Sequence, residues 1–171
     1  MTDRERAYLT AAGKLYDKYE TTAQRARVLA YRDAMEELSQ SYPVDREARI
    51  FYALALVVAQ DRGDKSSTDR LTARPMLEDL FAEDPTHSGL AHYLIQAYDV
   101  PILCGRPLVA ARAYADIAPD APHARHLPSH AFTRLGFWQE STDGKVAATP
   151  VGTRRSKKIF LAISVRISRL R

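Results

Sequence analysis

Prolines at 43, 85 and 119 each close an amphipathic segment, and their spacing constrains what this chain can fold into. From Pro85 to Pro119 is 34 residues; from Pro43 to Pro85 is 42, an excess of eight that the polar loop DRGDKSSTD is long enough to supply. Apolar residues recur at three- and four-residue steps between these stops, as one face of a helix requires. In RERAYLTAAGKLYDKY they are Ala7, Leu9, Ala11, Leu15 and Tyr16; in TTAQRARVLAYRDAMEELSQSY they are Ala26, Leu29, Ala30, Ala34, Met35 and Leu38. REARIFYALALVVAQ, capped by Asp45, is apolar nearly all round and so reads as a helix buried on two sides. The pattern predicts helices near 4–17, 22–41, 46–60, 70–83, 88–99, 107–118 and 128–138, with adjacent helices antiparallel because the loops are mostly short. Thr21 or Thr22 is the expected cap of the second helix. No strand signal arises before the last residues.

A helix-pair period of 34 residues ending in proline is the tetratricopeptide signature, and the rest of that signature is present in degenerate form. It asks for a small residue, a large apolar one four on, and proline eight further. Ala73, Leu77 and Pro85 meet it; Tyr31, Met35 and Pro43 meet it except for the bulk of Tyr31; Ala111 and Pro119 keep the second spacing. Ser129 with Phe132, then Gly136 with Trp138, read as the start of a further pair, with Trp138 at the core of the turn. The chain therefore resembles a tetratricopeptide repeat protein over roughly residues 4–142. The fold this implies is all-α: antiparallel helix pairs stacked as a right-handed superhelical solenoid. HSGLAHYLIQAYDVP and APHARHLPSHAFTRLGFWQES also resemble a little-characterised bacterial group of tetratricopeptide-like proteins. That group's pattern has histidine where Gln96 stands and methionine where Leu127 stands, and it implies fold rather than an activity.

The basicity of the chain belongs to its last residues. Residues 1–144 carry seventeen bases against twenty-one acids, a net of −4, whereas Lys145 onward contributes eight bases and no acid. A phosphate-binding face on the body is thus not expected. The sequence divides into a repeat body, 1–142, and a basic tail, 143–171, that drops the repeat register. The tail reads either as genuine or as the product of a shifted reading frame or truncated coding sequence. Its end fits helix and strand periodicity equally. On this reading the last helix pair lacks its second helix, and the exposed apolar face would promote self-association. Cys104 alone makes no intramolecular disulfide, MTDRERAYL is too charged for a signal peptide, and no apolar run approaches a membrane span, so a cytoplasmic location is expected.

Five histidines concentrate the chemistry. His123, His126 and His130 lie within eight residues, and His92, Gln96 and Asp99 follow helical spacing on the preceding first helix. First helices of adjacent pairs line the inner curve of such a solenoid. His92, Gln96, Asp99, His126, His130 and Arg134 are therefore expected to line a groove that binds a peptide segment of a partner protein, without a cofactor. The alternative is a divalent-metal site, Zn, Fe or Ni, drawn from His92, Asp99, His126 and His130, with hydrolysis as the activity such a site could serve. Pro128, between His126 and His130, is expected to start a helix and so to limit how far the three histidines share one face. No complete catalytic motif is present, and no catalytic residue is assigned. Arg134, one turn beyond His130, suits a peptide carboxylate and disfavours a nearby cation.

Overall fold

The computed structural model describes residues 1–61, 63–64, 66–100 and 108–148. Among them every regular element is a helix: α1 Asp3–Lys14, α2 Gln24–Ser41, α3 Arg46–Ala59, α4 Thr68–Glu83, α5 Ser88–Tyr98, α6 Leu108–Ile117, α7 Pro122–His126, α8 Pro128–Leu135 and α9 Trp138–Ala148. They fall into two compact units, Met1–Pro85 with α1 to α4, and Thr86 onward with α5 to α9. No helix among the described residues is long and apolar enough to cross a membrane.

In the first unit the helix ends follow from identifiable caps. Thr2 and Glu5 close a capping box on α1. Asp45 caps α3 by accepting from the amides of Glu47 and Ala48, as its position before an apolar run predicts. The α2 expectation is corrected: the helix starts at Gln24 behind Ala23, and no threonine side chain caps it. Its first turn is secured instead by arginines. Arg27 donates to the Thr22 and Leu15 carbonyls and Arg25 to the Ala59 carbonyl, satisfying oxygens that the ends of the helices leave open.

Successive helices in this unit pack on one another, and side-chain ties fix their sense. Arg25, at the start of α2, reaches Ala59, at the end of α3. Arg46, at the start of α3, pairs at 3.4 Å with Glu83, at the end of α4. Both pairs are therefore antiparallel. Met35, Leu38, Ala48 and Ala55 are buried with Ala11, and Tyr8, Tyr31, Phe51 and Tyr52 pack around them. Ala73 and Leu77, the small and large residues of the repeat signature, are fully buried.

Asp45 has a second task. Its Oδ2 accepts from the Tyr8 hydroxyl at 3.1 Å and from Arg4 at 3.2 Å, which ties α1 to the start of α3. Burial and this carboxylate push the Tyr8 phenol upward, so it remains a donor. Asp45→Ala removes the cap and strands the half-buried Tyr8 hydroxyl together. It is expected to destabilise the protein by roughly 1–3 kcal/mol. Asp45→Asn, which keeps a capping oxygen, should lose less. Equal losses in urea unfolding of the two variants would contradict this.

In the second unit Leu90, Leu94, Ile95 and Tyr98 of α5 are buried with Ala110, Ala111, Tyr114, Leu127, Ala131 and Phe132. Pro128 begins α8 as expected, and Gly136, at φ +80°, ends it one turn sooner than the sequence pattern suggests. That conformation favours glycine. PHARH ahead of α8 forms a short helix, α7. α9 runs across residue 142, the expected end of the repeat body, to Ala148.

The second helix thought to be missing from the last pair is thus present, and it covers α8. Ser141 donates to the Ser129 carbonyl at 3.2 Å and meets the Thr133 hydroxyl at 2.6 Å. Gly144 permits the close approach to α7, since a Cβ there would sit 2.9 Å from the Arg125 carbonyl. Trp138 is 58% exposed and so is not the core residue expected at the turn. The remainder of the expected tail, and Cys104, lie outside the described residues.

Candidate functional site

The histidines that the sequence grouped as one cluster form two neighbouring sets in the second unit. The first is centred on His92, at mid-α5. Its Nδ1 lies 3.3 Å from the Tyr114 hydroxyl of α6, and its ring centroid is 4.9 Å from that of His123 on α7 and 5.4 Å from that of Tyr93. Burial, and then the neighbouring His123, hold the His92 imidazole below its usual range. A half-buried, neutral imidazole among aromatic rings does the work of a packing residue that also hydrogen-bonds.

The second set joins the end of α5 to α7 and α8. Asp99 is the C-terminal cap of α5, and one carboxylate oxygen of Asp99 accepts from Arg134 Nε at 2.5 Å. Its other oxygen lies 3.4 Å from His130 Nδ1. His130 Nε2 in turn lies 3.2 Å from His126 Nε2, with the two rings edge to face. His126, the last residue of α7, and His130, in the first turn of α8, lie across the Leu127–Pro128 junction. Pro128 therefore separates the helices without separating their imidazoles.

The order of hydrogen bonds assigns protons. Asp99 only accepts, so His130 Nδ1 carries hydrogen; in neutral His130 the Nε2 lone pair then accepts from His126 Nε2–H. Burial, then His130, His123 and Lys145, hold His126 below the ordinary imidazole range, which favours this neutral pairing. The His130 and Arg134 side chains are 42% and 38% exposed and that of Asp99 27%, so the chain of contacts is open to solvent along its length.

The expected residues are thus brought together in part. Asp99, His126, His130 and Arg134 form one connected network. His92 belongs to the other set, and Gln96 lies half-buried on α5, one turn before the end that Asp99 caps. Arg134 is an ion-pair partner of Asp99 rather than an isolated cation, which alters its expected part in excluding metal. His123, grouped in the sequence with His126 and His130, packs against His92 instead, together with Tyr93 and Tyr114, to which the sequence assigns no site role. Tyr114 could have been found from its place on the helix that packs beside α5. Among the described residues, no group of three His, Cys, Asp or Glu side chains is placed to hold a metal ion. No protein-family model matches the chain, and comparison with curated proteins and with solved structures finds no match either.

Proposed function

We propose that the chain is a tetratricopeptide-like interaction module whose Asp99–His130–Arg134 face contacts a peptide segment of a partner protein. One observation carries this reading: a carboxylate, two imidazoles and a guanidinium are linked in a network that stays open to solvent. A polar network kept for stability is ordinarily buried, where its bonds are strongest. An exposed one offers donors and acceptors of both signs to a ligand at little cost in desolvation. Helix pairs stacked by repeats supply such faces, since each pair buries its neighbour's apolar side and leaves the other free for contact. His130 can donate to or stack on a peptide group, and Arg134 can share its fork between Asp99 and an incoming carboxylate.

Selection from a displayed peptide library tests the proposal. The wild-type chain is expected to enrich peptides sharing a sequence motif, and the variant His126→Ala/His130→Ala/Arg134→Ala to lose that enrichment while keeping its helical circular dichroism. Enrichment that survives in the folded variant would place recognition elsewhere, and no enrichment by the wild type would remove the reading.

A further inference from the structure

We propose that His126 and His130 form a two-imidazole site for a divalent transition-metal ion, with Asp99 orienting His130 from behind. The two Nε2 atoms stand 3.2 Å apart. Two nitrogens bound to one zinc at about 2.0–2.1 Å in tetrahedral geometry are separated by roughly 3.3 Å, so the pair already has the spacing of two ligands and needs only ring rotation to aim both lone pairs at one ion. A carboxylate bonded to the far nitrogen of a ligating imidazole is the usual outer partner of such sites. It fixes the ring and strengthens the ligating nitrogen as a donor. Asp99 is placed in that way, 3.4 Å from His130 Nδ1.

The role of each residue differs from a site drawn from His92, Asp99, His126 and His130 together. Asp99 is a positioning residue and not a ligand. His92 is held by Tyr114 and His123.

The proton count is simple. His130 already presents a lone pair at Nε2. His126 exchanges the proton on Nε2 for one on Nδ1 through solvent, and no net proton is released from the neutral pair. Zinc, nickel or cobalt in the divalent state suits two imidazoles; water can fill the remaining positions because the His130 side chain is 42% exposed.

Two positive charges lie nearby. Arg134 is neutralised by its 2.5 Å contact with Asp99, and Lys145 opposes added positive charge at His126. The same contacts make the site independent of any peptide, so it can be tested with the metal alone.

Zinc is titrated into the chelator-stripped full chain at pH 7.5 and followed by calorimetry. One saturable equivalent is expected. His126→Gln and His130→Gln should each weaken binding at least about tenfold, and Asp99→Asn by about 10–100-fold. His87→Asn, which keeps an acceptor at the α5 cap, should leave binding unchanged. Nitrogen resonances of the wild-type imidazoles provide a readout that needs no variant: zinc must shift Nε2 of both His126 and His130. The proposal is overturned if the wild type takes up no zinc, if both glutamine variants bind as the wild type does, or if the shifts fall only on His87, His92 or His123.

Discussion

Replacing Leu77 with alanine lowers the unfolding free energy by about 2–5 kcal/mol. The side chain is fully buried in α4, at the large apolar position of the repeat signature, and its loss removes apolar contact and leaves a void that packed helices cannot close. Leu71 lies on the same helix but is exposed, and Leu71→Ala should cost less than about 0.5 kcal/mol. Urea unfolding followed by circular dichroism separates the two: Leu77→Ala moves the midpoint with an unchanged slope. A Leu77→Ala midpoint within error of Leu71→Ala would mean that α4 does not pack as described. Ala73→Leu probes the same contact from the other side, since Ala73 is fully buried and added volume must displace a neighbour.

Acidification should weaken the second unit before ordinary carboxylates titrate. His92 and His126 both have folded-state values below those of an unfolded chain, chiefly because burial penalises the cation. Well above the unfolded imidazole value of about 6.5, neither state is protonated and these residues contribute nothing to pH dependence. As pH falls through that value the unfolded chain takes up protons that the folded chain refuses, so unfolding is favoured. Once pH passes below the folded values both states are charged and the loss levels off.

The slope cannot exceed about 1.4 kcal/mol per pH unit for each proton, and solvent around His126 keeps its share well under that. Among the described residues, His123, Tyr93 and Tyr114 surround His92, His123, His130 and Lys145 act on His126, and the Asp99 carboxylate reaches His126 only through His130. Thermal midpoints measured from pH 7.5 to 5.5 should therefore fall. The double variant His92→Gln/His126→Gln should show a flatter dependence. A wild-type midpoint that is constant over this range, or an equally steep double variant, would contradict the assignment of neutral imidazoles.

The helices were legible where period and caps agreed. Arg46–Ala59 follows from Asp45 and a run of apolar residues, and Ser88–Tyr98 from apolar residues such as Leu90, Leu94 and Ala97 at three- and four-residue steps. The misreadings have local physical causes. The repeat body is expected to end at 142, yet α9 continues through Gly144, where the Arg125 carbonyl leaves no room for a side chain. Thr22 looks like a cap, but α2 starts two residues later behind Ala23, and the Thr22 carbonyl accepts from Arg27 as part of the α1–α2 turn. Trp138 is apolar in composition and half in water in fact, because α9 packs through Ser141 and Gly144 instead.

At the site, spacing along the chain identified His126 and His130 as neighbours. It could not tell that His92 would turn to Tyr114 and His123, since that depends on the angle between α5 and α6. Nor could it show that Asp99 lies between His130 and Arg134, residues 31 and 35 positions away.

Those separations bear on how the protein is made. Arg4 and Tyr8 find Asp45 across 41 and 37 residues, and Asp99 finds His130 and Arg134 across 31 and 35. Each tie therefore needs only about one repeat length of further chain before it can close. A ribosome adding roughly 5–20 residues per second supplies that length within seconds. Assembly can follow translation from the N-terminus, each helix meeting a partner that has recently emerged. The Asp45 tie closes long before Arg134 is polymerised, so the imidazole face is among the last parts of the described chain to form on a nascent protein.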